Sequence, residues 1–548
     1  MAERPTPEAF LADVLTRRFA PSGAADATLA RLTRALAQDH VALEVDEEDR
    51  AALAGEARLC EPHGVADAVA DAGPPLVLVA GRYLYPRRLA AAEQRVATLI
   101  RAARAGEVDP PGGVDPGALD AAAAAVVGEL SAAGTPAPDL VDVARRSLTR
   151  RVSFLTGGPG TGKTWLAARV LRVLDRALAE SGGTASVALA APTGKAARRL
   201  SEVADEMESE VPLTRVLRDR TREGSLHRLL GASPDRPGHF TPIHHDVVVV
   251  DEVSMADLPI LDLLARASST TPSRLVLVGD PDQLVSVTVG AVLADVVRDE
   301  AGDAALLTRL DAVHRTDRRS VLDLADAVRR GDAARARAAL SGDGAELIAP
   351  SRVEGVLADA DDAAALVAQA ARRGDAAGAL TALRAHVVLC AHREGPLSVA
   401  WWNATLRARA RRRDPAPPGE SRGAGDPLLV TRNQPALGLS NGDLGVVVDV
   451  DGQRRVCFDA GRSFPVGAVG FTEPAWALTV HKAQGSEFDR VAVVLPDVGS
   501  PLLTRQLLYT GVTRARSGVA VVATEAALAA AIATEVERVS GLTWRLGG

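Results

Sequence analysis

The stretch Gly157-Gly158-Pro159-Gly160-Thr161-Gly162-Lys163-Thr164 constrains the fold of this chain more than any other. Val152-Ser153-Phe154-Leu155 before it reads as a strand, and Trp165–Ala179 after it reads as a helix. The loop between them fits G-x-x-x-x-G-K-[ST], with Gly157, Gly162, Lys163 and Thr164 in the fixed places. Its glycines let the backbone curl so that successive N–H groups face phosphate oxygens at a helix N-terminus. Lys163 is then placed for the β- and γ-phosphates of a nucleotide, and Thr164 for a Mg²⁺ ligand. A second segment, Val247-Val248-Val249-Val250-Asp251-Glu252, reads as a buried parallel strand ending in two carboxylates. Asp251 is expected to hold the Mg²⁺ shell and Glu252 to polarise an attacking water. Two such motifs in this order suit a doubly wound sheet that hydrolyses ATP.

Composition bounds the remainder. A chain of 548 residues should hold several domains, since single cores stop growing near roughly 250–300 residues. No apolar run reaches membrane-spanning length, and the start, Met-Ala-Glu-Arg-Pro, is no signal peptide. Cys60, Cys390 and Cys457 are far apart, which gives no metal or disulfide framework and suits a reducing cytoplasm. With a net charge of −7, a nucleic-acid partner would need a local basic groove rather than overall charge.

Pro/Gly-rich breaks divide the chain. Asp109–Gly117 and Gly134–Pro138 follow an N-terminal unit with no catalytic motif. That unit reads as strands at 40–45 and 76–80 and a helix at 87–105, with Val96, Leu99, Ile100 and Ala103 on one helix face. A third break, Asp414–Gly425, precedes short β-type runs at 427–431, 444–450 and 454–458, with Asn441-Gly442 marking a turn. These runs suggest a small barrel inserted into a second α/β domain.

Further motifs follow in order. Ala191-Pro192-Thr193-Gly194-Lys195 is a polar loop opening a helix, and Ser225-Leu226-His227-Arg228 follows it. Leu275–Gly279 leads into Asp280-Pro281-Asp282-Gln283, where Gln283 is placed to sense a γ-phosphate. Near the C-terminus stand Leu478-Thr479-Val480-His481-Lys482-Ala483-Gln484-Gly485-Ser486-Glu487-Phe488 and Leu508–Arg516. In this order the segments resemble the motifs of superfamily 1 helicases, in the branch that includes the RecD subunits of exodeoxyribonuclease V. Ala391-His392-Arg393-Glu394-Gly395-Pro396, Trp402-Asn403, Asn433 and Asn441-Gly442-Asp443-Leu444-Gly445 narrow the resemblance. Tyr83-Leu84-Tyr85 and Glu93-Gln94-Arg95-Val96 extend it to the N-terminal unit.

The resemblance implies an α/β fold of two RecA-like P-loop cores with a small inserted β-barrel and a separate N-terminal α+β domain. Its expected spans are 1–115 for a partner-docking domain, 119–340 for the first core with a short pin at 231–246, and 341–548 for the second core, interrupted by the barrel at about 420–472. The two cores would face each other across ATP. Lys163, Glu252, Gln283, Arg315 and Arg514 would be catalytic, with Arg514 as the arginine finger and Arg315 as a further γ-phosphate arginine. Gly157 to Thr164 would bind nucleotide with Gly485 and Glu487, while Thr164 and Asp251 would hold Mg²⁺. Thr193, Lys195, His227, Thr479 and His481 would touch the DNA backbone. The implied activity is 5′→3′ single-strand DNA translocation and helicase action at duplex ends during recombinational repair. The implied partners are RecB-like and RecC-like subunits in a heterotrimer, with any nuclease site in a partner. A stand-alone RecD-like helicase stays open as the alternative.

Some positions depart from the family. The stretch 139–148 lacks the Gln that reads adenine in many relatives, so strict preference for ATP is not implied. Trp165 and Trp476 replace smaller or tyrosine residues, and both read as packing residues before base-stacking ones. The basic run Arg407–Arg413 reads as a solvated helix face before a phosphate contact.

Overall fold

The computed structural model describes residues 23–547 except 65–68, 136, 222, 234, 237, 287, 300–302, 312–318 and 414–421. The chain folds as two compact units. The first takes the residues up to Pro281, Val285–Ala312 and Glu537–Gly548, and the second takes Asp282–Leu284 and Val313–Val536.

In the first unit, β1 (Leu43–Glu44), β2 (Cys60–His63), β3 (Leu76–Val79) and β4 (Tyr83–Pro86) form a sheet of order β1-β4-β3-β2. A parallel sheet follows from β5 (Val152–Gly157), β6 (Ala185–Ala191), β7 (Val216–Arg218), β8 (Gly224–Ser225), β9 (Val247–Val250), β10 (Arg274–Gly279) and β11 (Leu307–Leu310). Its order is β11-β5-β10-β9-β6-β7, with β8 also on β6. The apolar runs suit a sheet covered on both faces. Val247, Val249, Val276 and Val278 pack under the helices Pro116–Ala132, Leu140–Thr149 and Lys163–Ser181. The alternate residues Val248, Val250, Leu275 and Leu277 face the other way, as a period of two requires.

That second face is covered in part by the N-terminal helix Arg87–Ala105. Val96, Ala97 and Ile100 share one apolar cluster with Leu76 and Leu84 of the N-terminal sheet and with Phe154 and Leu277 of the parallel sheet. Arg95 fixes the contact, donating through Nε and Nη2 to Asp262 at 2.5 and 3.0 Å. The N-terminal α+β element therefore has its own sheet but not its own core. The last residues of the chain join the same cluster through Leu542 and Leu546.

The second unit runs through β12 (Ala345–Ile348), β13 (His386–Cys390), β14 (Pro427–Val430), β15 (Leu444–Val450), β16 (Gln453–Phe458), β17 (Ser463–Pro465), β18 (Thr472–Pro474), β19 (Ala477–Thr479), β20 (Phe488–Val494) and β21 (Ala515–Val522). The parallel sheet has order β12-β21-β20-β13-β19. Between β13 and β19 the chain inserts an antiparallel sheet of order β17-β16-β15-β14-β18 around its own core of Leu428, Val430, Val447, Val456 and Phe458. Three of these five strands coincide with the β-type runs read from the sequence. Among the described residues, no helix is long and apolar enough to cross a membrane.

Candidate nucleotide-hydrolysis site

The first unit brings its candidate residues together at the carboxyl ends of β5 and β9. The turn after β5 needs glycine for space: a Cβ on Gly157 would lie 2.5 Å from the Leu310 carbonyl oxygen of β11. Gly162 enters the helix Lys163–Ser181 at φ 83°, a left-handed conformation that glycine adopts without penalty. Between them, the Thr161 hydroxyl donates to the Gly158 carbonyl at 2.8 Å and closes the loop containing Pro159 and Gly160. Lys163 Nζ donates to the Gly157 and Gly158 carbonyls at 2.7 and 2.8 Å, so its ammonium sits over the loop that the motif assigns to phosphate.

Thr164 and Asp251 meet although the sequence separates them widely. The Thr164 hydroxyl donates to Asp251 Oδ2 at 2.7 Å, and the Glu252 N–H donates to Oδ1 at 2.8 Å. Burial pushes the Asp251 carboxyl up from its ordinary value. The Thr164 and Glu252 hydrogen bonds pull it back, as do the charges of Lys163 and Arg199. Arg199 was not among the sequence candidates. Its only signal is its position on the helix Gly194–Glu210, one turn beyond Lys195. Glu252 itself has φ 54°, a left-handed backbone that a non-glycine residue rarely adopts without a functional constraint.

The hydroxyl and carboxylate oxygens at Thr164 and Asp251 are hard donors side by side, which is the donor chemistry Mg²⁺ takes. A cation there would also offset the burial that now disfavours the Asp251 charge.

The remaining first-unit candidates are spread along adjacent loops. Thr193 caps the helix Gly194–Glu210, its side chain accepting from Ala196 N at 3.2 Å. Lys195 is half-buried in the first turn of that helix. His227 is exposed on the short helix Leu226–Leu229. In the expected pin region the described residues show one isolated bridge, Ser233 to Arg236. Trp165 packs against the apolar cluster beneath the phosphate loop, with the Arg169 guanidinium 4.2 Å from its ring.

The second unit gathers another group. Gln283 is buried, in a segment tied down at the next residue. Leu284 N donates to the Thr510 hydroxyl at 2.8 Å, and Gln484 Nε2 donates to the Leu284 carbonyl at 3.2 Å. Thr510 and Gln484 thus do positioning work that sequence reading did not assign to them. Arg514 is 4% exposed, and its guanidinium donates to the carbonyls of Thr510 and Ser486 at 3.1 and 3.4 Å. Gly485 turns at φ 69°. Glu487 accepts from Arg516 at 2.9 Å. Thr479 accepts from Lys482 N at 3.2 Å, and His481 opens the 3₁₀ turn that follows. Arg315 lies outside the described residues. Trp476 is buried in the second unit's core, and Arg409, Arg411 and Arg413 of the basic run pair with acidic residues.

Comparison with known proteins bears on the same segments. Residues 138–345 match the AAA domain family, and residues 474–522 match the UvrD-like helicase C-terminal domain. The RecBCD enzyme subunit RecD of Mycolicibacterium smegmatis is 40% identical over 486 residues, covering 86% of this chain and 84% of its own length. The subunit of the same name from Mycobacterium tuberculosis is 43% identical over 424 residues, covering 73% of this chain and 71% of its own. The ATP-dependent RecD2 DNA helicase of Deinococcus radiodurans is 36% identical over 375 residues, but the match covers only 46% of that protein. A solved Bacteroides Pif1 helicase bound to ssDNA is 17% identical over 69% of this chain and 90% of its own, with a TM-score of 0.38. On the extent and identity of the RecD matches, the chain belongs to the RecD family of helicases.

Proposed function

We propose that this chain is an ATP-driven, 5′→3′ single-strand DNA translocase and helicase subunit that works with RecB-like and RecC-like partners at duplex ends. The observation that carries the hydrolytic reading is the convergence of Lys163, Thr164 and Asp251 on one loop beside the strained Glu252. In this reading the ammonium of Lys163 leaves the Gly157 and Gly158 carbonyls and neutralises β- and γ-phosphate oxygens of ATP. Glu252 accepts the proton of the attacking water from a fixed left-handed backbone. Arg514 neutralises charge that develops on the transferred phosphoryl group. Thr164 and Asp251 hold Mg²⁺, which supplies charge neutralisation across the phosphates. The segment Asp282–Leu284, gripped by Thr510 and Gln484, presents Gln283 to report the γ-phosphate.

The stand-alone alternative is less well supported, because the match to the longer RecD2 helicase spans under half of that protein while the RecD subunit matches span most of theirs. Co-purification of the native protein, followed by unwinding assays on duplexes with a 5′ or a 3′ overhang, tests the proposal. Unwinding from the 5′ overhang with RecB-like and RecC-like chains present is the expected result. Lys163→Ala should abolish ATP turnover in the same preparation. Full DNA-stimulated hydrolysis by that variant, or translocation from the 3′ end, would remove the reading.

A further inference from the structure

In the inserted sheet, β14 and β18 pair with Val430 opposite Thr472. At the open end of that ladder, Phe471 violates two ordinary preferences. It is a large apolar side chain left 60% exposed. It also has φ 43°, where a bulky residue is a steric outlier. The surrounding groups impose this conformation. Thr431 N and the Thr431 hydroxyl both donate to the Phe471 carbonyl at 2.8 Å. The residue before it is held as firmly: Gln434 Nε2 donates to the Gly470 carbonyl at 2.9 Å, and Gly470 N donates back to Gln434 Oε1 at 3.2 Å. Gln434 is fixed in turn by main-chain bonds with Leu439. Core packing does not account for the ring, because the ring is outside the core. The exposed Arg432 places its guanidinium carbon 4.9 Å from the ring centroid.

A rigidly presented aromatic ring beside a guanidinium matches the chemistry of one nucleotide: a base stacks on the ring while a phosphate meets the cation. The chain also runs from Phe471 through β18 directly into β19, which ends in Thr479 and leads to His481. At most about 29 Å of extended backbone separates the ring from Thr479. We infer that Phe471 and Arg432 form a stacking platform on the inserted sheet for one nucleotide of single-stranded DNA. The inference rests on the DNA-translocase reading above and adds a contact point to it.

The strain supplies a clean test. Glycine tolerates φ 43°, so Phe471→Gly should leave the melting temperature of the full chain unchanged or raised. The same variant should bind a fluorescein-labelled oligo(dT) about tenfold or more weakly by anisotropy, the scale of losing one stacked base. Phe471→Trp should restore affinity. On a fully abasic oligonucleotide, wild type and Phe471→Gly should bind alike, because no base remains to stack. Arg432→Gln should reduce the salt slope of binding by about one phosphate contact. Wild-type oligo(dT) affinity in Phe471→Gly would overturn the platform and leave the motor reading standing. Unchanged DNA affinity with failure to co-purify with partner subunits would make Phe471 a protein contact and overturn the platform too. If the wild-type chain bound no single-stranded DNA, the motor reading itself would fall, and the platform with it.

Discussion

Asp251 and Glu93 are both buried carboxylates, and burial pushes both up from their ordinary values, Glu93 to about 7. Their surroundings differ in kind. Glu93 accepts from the Tyr85 hydroxyl at 2.7 Å, from Arg545 Nε at 3.1 Å and from Gly541 N at 3.2 Å. Its principal counter-charge, Arg545, is itself 1% exposed. Asp251 is held instead by a hydroxyl and a main-chain N–H, with Lys163 and Arg199 acting on it through space. A buried pair completed by protein partners fixes structure, and breaking it leaves an uncompensated charge. A buried carboxylate held by neutral groups keeps its charge available for a ligand. Arg514 belongs with Asp251 by this criterion, since main-chain carbonyls hold its guanidinium.

Among the groups compared, the largest effect should come from Arg514. Arg514→Ala should cut kcat by about 10³-fold or more while nucleotide affinity changes little, because a finger acts mainly in the transition state. Steady-state ATPase kinetics with saturating single-stranded DNA check this. A raised KM at unchanged kcat would place Arg514 among structural charges.

Asp251→Asn should follow, with turnover down at least about 10²-fold and a melting temperature equal to or above wild type. The amide keeps the shape, accepts one of the two hydrogen bonds and removes a buried charge. A large drop in melting temperature would show that the contrast with Glu93 is not real.

Glu93→Gln should do the reverse. Gln keeps one acceptor for Tyr85 and Arg545 but turns an amide N–H₂ toward the Gly541 N–H that the second carboxylate oxygen accepts, so the melting transition should move down. ATP turnover, measured well below that transition, should stay near wild type. Lost turnover in a folded Glu93→Gln protein would join the two carboxylates into one functional system.

The same comparison explains which parts were legible in the sequence. Asp251 was readable because its partners recur at fixed spacings within two short motifs, each bound to a strand end that its own valines predict. β5, β9 and β10 of the first parallel sheet and the helix Arg87–Ala105 were readable from apolar runs and periodicity for the same reason, whereas the strands of the second parallel sheet were not read. The partners of Glu93 were not, since Arg545 lies more than four hundred residues away and carries no motif. Arg538 gives the same lesson: its guanidinium meets the carbonyls of Ser286, Thr288 and Gly290 and the carboxylate of Asp39, contacts that only the folded chain creates. The N-terminal unit reads as a separable module because Pro/Gly-rich sequence follows it, yet its helix shares a core with the first parallel sheet. A truncation near Leu119 would strip that helix from the sheet, so surface substitutions are the sounder probe of partner docking. Thr510 escaped notice because a threonine inside a helix reads as packing until the main chain it caps is seen.

The smallest effect concerns the C-terminal segment, and it has a defined sign. Burial raises the Asp295 carboxyl to about 6, against the hydrogen bond from Ser540 and the charge of Arg298. Ser540 belongs to the segment Glu537–Gly548, so this carboxyl helps to dock it. Between the ordinary aspartate value of 3.8 and about 6, the folded chain keeps a proton that the unfolded chain has lost. Stability from this group is therefore fully present below that window and is lost as pH rises through about 6, by at most about 3 kcal/mol. His40 opposes it. Its Nδ1 accepts from Val539 N at 2.6 Å, and burial lowers its pKa, so acid weakens the same docking. As pH falls toward and below about 6, Asp295 should therefore raise the protection of the segment's amides against hydrogen exchange while His40 lowers it, so the two largely offset each other in mildly acidic solution. Asp295→Asn should remove the first effect, because the amide never ionises and the Ser540 hydroxyl can turn to accept from it. Protection in the variant should rise with pH and then level off, exceeding wild type above pH 7. A variant whose protection followed the wild-type pH profile would show that Asp295 has no part in the docking, which would then rest on the contacts of Glu93 and Asp39.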